Sequence, residues 1–480
     1  MTDARASGQE QAAHHNAEKT TMRRAGCWNT HSRIIGALCA LAIPVTLSLA
    51  ATFGTAEVKA AGPAVTVEAA FKKFWDARNS QEAARSVGDV VGSGVTFQDA
   101  LARLKRGRPY ASNVPRKIVR LSRRSGGKQF FYDLNVPGTY DPNRRYQVRV
   151  QLHGGVMGRK TSEPPGEGSI GELAGAEQIY VLPYSWAGAP WWTTAQVENL
   201  RAILDAVKRS YNVDENRVAL AGVSDGATAT YYFAMRDTTP YASFLSLNGF
   251  FMVLANPATG VQDELFPNNF LNKPFFLVNG GADQFYPTWY VERYIENLQD
   301  GGVQIDYYPQ PSAGHNTSWW PELKDTFESF VREHPRDPLP KTLTWESIGN
   351  PLDNRAHWLV IDRLAISTGL APLPDLNELI QPPDDQPPSP KLITHSTPFG
   401  RVDLERVGNT VQAIAHGVAQ FTLLISPDAF DLSQPIRVVV NRRSVFDGRV
   451  EPSVATLMKW AALDNDRTML FAAELHIRPE

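Results

Sequence analysis

Residues 217–236 read RVALAGVSDGATATYYFAMR: an apolar run, then Gly222-Val223-Ser224-Asp225-Gly226, then a segment of helical character. A serine with glycine two residues away on either side, set where a strand turns into a helix, is what a nucleophile elbow requires. The tight turn lifts the hydroxyl above the sheet, and small flanking residues relieve the crowding beneath it. Composition alone would produce about 0.2 such matches in a chain of this length, so the pattern informs only through its place at a strand-to-helix junction.

Upstream of this stretch, short β-rich runs, IVRLSRR, QFFYDLNV and YQVRVQLHG, are separated by Gly-Gly and Asp-Pro-Asn turn signals. Strand and helix patterns then alternate. QIYVLPY precedes VENLRAILDAVKRSY, the elbow run precedes ATATYYFAMRD, and SFLSLNG leads into a loop. PFFLVNGG precedes PTWYVERYIENLQD, and VQIDYYP precedes PELKDTFESFVREH. This alternation predicts an α/β fold, a mostly parallel sheet with helices on both faces, entered through two antiparallel strands.

A serine hydroxyl is a weak nucleophile at neutral pH, so Ser224 needs a histidine base, a carboxylate to orient it and donors for the developing oxyanion. His315, in PSAGHNTSWW, and Asp283, in VNGGADQFYP, each follow a separate expected strand at the carboxyl edge of the sheet. Their order, Ser then Asp then His, is that of the α/β-hydrolase arrangement. Either residue alone also reads as an ordinary turn or loop residue; together they form a triad candidate. Asp263 and Glu264 are reserve acids, ranked below Asp283. Gln151-Leu152-His153-Gly154-Gly155 closes a strand, and backbone N–H groups of Gly154 and Gly155, with that of Asp225, are the expected oxyanion hole. His153 reads as structural rather than as the base.

The set FFYDLNVPGTYDPNRRYQVRVQLHGG, GVSDG, GGADQFYP and AGHN resembles α/β-hydrolase esterases of the group that holds secreted polyhydroxybutyrate depolymerases, feruloyl esterases and phospholipase/carboxylesterase-type enzymes. The resemblance spans roughly residues 117–334. It implies Ser224 as nucleophile, His315 as base, Asp283 as orienting acid, and no metal or organic cofactor. Val156 stands where some relatives carry a third glycine, which leaves open which N–H completes the oxyanion hole. Trp191, Trp192 and Trp319, with Trp186 and Trp320 near them, are candidate substrate-binding walls; core and lid packing is their plainer role.

Around this catalytic region four others are expected. Residues 1–60 read as a leader: Arg23, Arg24 and Arg33 precede IIGALCALAIPVTLSLAA, which starts at Ile34, ends at Ala51 and carries no charge, and small residues follow. That is the layout of a secretory signal cleaved near Ala56 or Ala60, giving a secreted or periplasmic protein. A retained membrane anchor is the alternative, disfavoured by Pro44 in mid-run. Met22 is an alternative start. Residues 61–116 read as a helical prefix, carried by VTVEAAFKKFWDARN and VTFQDALARLKRG; 335–398 as a linker and Pro-rich loop, with one β-like segment around HWLVIDRL; and 399–480 as a β-rich accessory domain.

With 48 basic and 50 acidic side chains the chain has no basic stripe to read as a nucleic-acid surface. Removing residues 1–60, which hold 6 basic and 4 acidic residues, leaves 42 against 46 and a net charge of −4. Both cysteines, Cys27 and Cys39, fall in the leader, so a mature chain has no thiol and its nucleophile has to be a hydroxyl. The expected partner is a small-molecule or polymeric ester. Two other functions compete: a prolyl-oligopeptidase-like peptidase, for which the prefix is too short to form a propeller, and a catalytically silent hydrolase-fold binding module.

Overall fold

The computed structural model describes residues 65–161, 174–369, 375–379 and 393–479. The leader, with both cysteines, and most of the Pro-rich loop lie outside them. No helix among the described residues is long and apolar enough to cross a membrane.

Three helices open the described chain: α1 (Val67–Asp76), α2 (Ser80–Gly92) and α3 (Phe97–Arg106). Each begins at a side chain that caps it. Thr66, Asn79 and Thr96 accept hydrogen bonds from the N–H groups of Ala69, Glu82 and Asp99, which the first turn leaves without carbonyl partners. The α2 helix falls inside the expected helical prefix, but no segment of its own marked it in the sequence. Its buried positions are Ala83, Ser86 and Val90, residues too small to print a clear apolar stripe.

The sheet that carries the elbow contains β1 (Val119–Ser125), β2 (Lys128–Asn135), β3 (Tyr146–Leu152), β4 (Ile179–Pro183), β5 (Val213–Val223), β6 (Ser243–Leu247), β7 (Phe275–Val278) and β8 (Ile305–Tyr307). Their order is β1-β2-β4-β3-β5-β6-β7-β8. The β1–β2 and β2–β4 pairs are antiparallel, and every later pair is parallel. Helices α4 (Thr194–Ser210), α5 (Asp225–Arg236), α6 (Thr288–Asp300) and α7 (Trp320–Glu333) cover it. The central strand β5 is apolar on both sides because both are buried: Val218 and Leu220 join the core under α4, α5 and α6, while Ala219 and Ala221 join a second core under α7. This is an α/β-hydrolase sheet, with the antiparallel entry that the turn signals suggested.

A second sheet follows, built from β9 (Thr342–Ser347), β10 (Arg355–Ala356), β11 (Leu359–Gly369), β12 (Gly400–Val407), β13 (Thr410–Ile425), β14 (Ile436–Val440), β15 (Arg443–Gly448) and β16 (Ala473–Ile477), with α8 (Leu376–Leu379) and α9 (Val454–Asp464) among them. The 16-residue β13 is its spine, pairing with β11, β12, β14 and β16. Strand β11 falls on the β-like segment around HWLVIDRL, while β9 and β10 come from the stretch expected to be linker. There, Leu343 and Trp345 of β9 are buried at alternate positions and β9 pairs with β12. At the far end, α9 gives Leu457, Met458 and Ala461 to the same core as Phe71, Phe74 and Leu104 of the prefix.

Candidate active site

Ser224 stands between the last residue of β5 and the first of α5, at φ 56° and ψ −118°. A non-glycine residue in this region is strained by roughly 1–3 kcal/mol and persists only where its surroundings enforce it. Here the Ser224 N–H donates to the carbonyl of Leu247 at 3.0 Å, and the Ser224 carbonyl accepts from Thr228 N–H at 2.9 Å. The flanking glycines are required by contact. A Cβ on Gly222 would stand 2.0 Å from the carbonyl oxygen of Gly226, and a Cβ on Gly226 would stand 2.2 Å from that of Leu152.

His315 arrives on the loop between β8 and α7. Its Nε2 lies 2.8 Å from Ser224 Oγ and its Nδ1 2.7 Å from Asp283 Oδ2. Asp283, on the loop after β7, is 2% exposed, and its Oδ1 accepts from the N–H groups of Phe285 and Tyr286 at 2.8 and 3.1 Å. A carboxylate bonded in this way only accepts, so Nδ1 carries the imidazole proton and Nε2 faces the hydroxyl as an acceptor. The two loops are tied to each other: Gly281 N–H donates to Gln310 O and Ala282 N–H to Ala313 O, at 2.8 and 3.0 Å.

Two buried asparagines brace them from below. Asn248, just past β6 and at φ 56°, donates from Nδ2 to the carbonyl of Asn316 at 2.7 Å. Asn279, just past β7, donates from Nδ2 to the carbonyl of Gly249 at 3.2 Å.

On the other side of Ser224, the Ser185 N–H donates to His153 Nε2 at 3.0 Å, which leaves Nδ1 as the protonated nitrogen, donating to the carbonyl of Gly154 at 2.9 Å. Arg159 Nε donates to the same carbonyl at 3.2 Å. In a trans peptide the C=O and the following N–H point in opposite directions, so tethering the Gly154 carbonyl turns the Gly155 N–H away from His153. Gly154 itself backs onto the nucleophile: a Cβ there would be 2.8 Å from Ser224 Cβ. The Val156 N–H is taken by Asp225 Oδ2 at 2.8 Å. Asp225 opens α5, where backbone N–H groups have no carbonyl one turn earlier.

The tryptophans do not wall this space. Trp191 is fully buried, Trp192 and Trp319 nearly so, all three within cores, and Trp191 Nε1 donates to the carbonyl of His153 at 2.9 Å. Their large apolar area is used in packing. The reserve acids are engaged elsewhere, Asp263 by Ser396 and Glu264 by Arg236 and Tyr232. The aromatic groups beside the histidine are instead Tyr286, its ring 5.7 Å from His315 between centroids, and Phe285, 60% exposed and edge-on to His315 at 4.9 Å. Trp289, in the first turn of α6, follows four residues later at 74% exposure, and Met157, beyond the Gly155 turn, is also exposed. Burial raises the Tyr286 hydroxyl above its ordinary pKa, and the charges of Asp225 and Asp283 raise it further. A signal for Phe285 existed in the sequence, two residues after Asp283 in GGADQFYP, but nothing there distinguishes an exposed ring from a core one. A cavity with mostly apolar walls lies away from the triad, between α4, α9 and the second sheet.

No family model matches the chain, and no curated protein matches it. Among solved structures, a thermostable esterase is 17% identical with a TM-score of 0.36; the match covers 46% of this chain and 64% of that one, just under two thirds of its length. A ferulic acid esterase is 17% identical with a TM-score of 0.36, over 45% of this chain and 98% of that one. Porphyromonas gingivalis dipeptidyl peptidase 4 is 13% identical with a TM-score of 0.37, over 45% of this chain and 35% of that one.

Proposed function

We propose that this chain is an exported serine hydrolase that cleaves carboxylic esters through an acyl-enzyme on Ser224. One observation carries the reading: the unbroken line from Ser224 Oγ to His315 to a buried, doubly hydrogen-bonded Asp283, at 2.8 and 2.7 Å, on a strained elbow. Ser224 Oγ attacks the ester carbonyl carbon while its proton passes to His315 Nε2. Asp283 holds the resulting imidazolium. The tetrahedral oxyanion accepts from the N–H groups of Gly155 and Asp225, and Gly154 contributes the space for close approach. His315 returns the proton to the alcohol oxygen as the C–O bond breaks, leaving an ester on Ser224. Water, deprotonated by His315, then releases the acid and restores the serine.

Changing Ser224 to alanine should lower turnover of a short-chain nitrophenyl ester by about 10⁴-fold or more. The thermal melt should stay nearly unchanged, because alanine removes one oxygen. A fluorophosphonate probe should label the wild type at Ser224 and leave Ser224→Ala unlabelled. Folded wild-type protein that resists the probe would favour a silent binding module, and peptide turnover above ester turnover would favour a peptidase. The basic flank, apolar run and small-residue exit of residues 23–60 support export. Amino-terminal sequencing of protein from outside the cytoplasm should begin just after Ala56 or Ala60.

A further inference from the structure

Between α4, the 237–240 and 351–354 loops, β11 and α9 lies a cavity of about 370 Å³, with Leu204, Leu352, Val360, Trp460 and Met469 among its walls. Neither Ser224, Asp283 nor His315 lines it. Small-molecule pockets occupy roughly 300–1,000 Å³, are mostly apolar, and sit preferentially where separately packed regions meet. This one lies where the hydrolase sheet's helices meet the second sheet.

The charges around it pair off, except that one carboxylate, Asp466, serves two cations. Arg201 holds both oxygens of Asp237 at 3.0 and 2.9 Å, and Arg355 both oxygens of Asp464 at 2.7 and 2.8 Å. Arg336 holds Asp466 at 2.7 Å, and Asp205 accepts from Arg209 at 2.9 Å. Lys208 remains. Its side chain is 9% exposed; its Nζ reaches the backbone carbonyl of Asp464 at 3.4 Å and stands 3.9 Å from Asp466, a carboxylate already bonded to Arg336. Among the described lining residues it is the one cation with no carboxylate within hydrogen-bonding distance. An ammonium has three donors, and burying it underused is costly.

We propose that this cavity is a second binding site, for a small apolar monocarboxylate whose anionic end pairs with Lys208 and whose apolar body lies against Trp460, Leu352, Val360 and Met469. Lys208 and Arg336 share the single charge of Asp466, so the surplus positive charge selects one negative charge, and the apolar walls select what carries it. The acid released by ester hydrolysis belongs to this chemical class, although binding here does not depend on that reaction.

The test is isothermal titration calorimetry of the full chain with octanoate and, separately, 1-octanol. Octanoate should bind saturably and one to one, about tenfold or more tighter than octanol, as a charge-assisted hydrogen bond requires. Lys208→Met should remove that advantage by weakening octanoate about tenfold, and Lys208→Arg should keep it. Val360→Trp, which fills the cavity, should abolish binding of both while ester hydrolysis continues. If Lys208→Met does not fold, the octanoate-to-octanol ratio and Val360→Trp decide. No saturable binding of octanoate, equal affinity for octanol, or binding that survives Val360→Trp overturns the proposal, the last by placing the ligand elsewhere.

Discussion

Two histidines follow strand ends on opposite sides of Ser224, each beside glycine, and the structure gives them opposite surroundings. His153, after β3, accepts a backbone N–H at Nε2 and donates to a backbone carbonyl at Nδ1. Both partners are fixed for the neutral ring, since a proton on Nε2 would set two donors against each other. His315, after β8, faces a hydroxyl at Nε2 and a carboxylate at Nδ1. Those partners accommodate the ring in either protonation state, because the hydroxyl reverses its role and the carboxylate prefers a charged neighbour. What suits a histidine to proton transfer is what its neighbours can do once it is protonated.

Three measurements break or sharpen this contrast. His315→Gln should cost about 10⁴-fold in kcat, comparable with loss of the nucleophile, because groups acting as a unit fail together. His153→Ala should cost about 10²-fold, the scale of one misdirected oxyanion donor, with a lowered melting temperature that His315→Gln does not show. Equal losses in the two variants would erase the distinction. Asn248→Ala frees the backbone carbonyl of Asn316 next to the base, so kcat should fall about tenfold while KM holds; a change confined to KM would place Asn248 in substrate contact instead.

The smallest effect concerns a buried group in β9. Burial raises Glu346 to about 7, against the lowering influence of Arg401 and Asn268. The folded state therefore keeps this proton after the unfolded chain has released it, and stability falls as pH rises from about 4.5 to about 7. Glu346→Gln should flatten that slope and raise the melting temperature by a few degrees at pH 8. A slope unchanged by the substitution would show that another group sets it.

The elbow and the succession of strands and helices were readable because both are local. Gly222 and Gly226 are demanded by contacts within a few residues or with the adjacent strand, and the alternation of strand and helix patterns reports the sheet directly. Ser224, Asp283 and His315 were separable from other serines, acids and histidines by chain order at strand ends. Burial was less readable. Trp191 and Phe285 are both large rings in loops beside the site, and only the tertiary structure distinguishes Trp191, sealed against His153, from Phe285, open to solvent. The α2 helix escaped because small residues let it approach its neighbour closely and thereby hide its periodicity. Strands β9 and β10 escaped because a six-residue and a two-residue strand carry little pattern until partners distant in the chain complete them.

The core shared by α1–α3 and α9 also bears on how the protein is made. Residues 67–106 leave the ribosome long before Leu457, Met458 and Leu470, which supply the remainder of their apolar surroundings. A nascent chain thus keeps its first helices without their final partner for the length of some 350 residues of synthesis, a figure set by that separation. Tail truncation should therefore be felt first at the opposite end of the chain, as protease sensitivity in the opening helices.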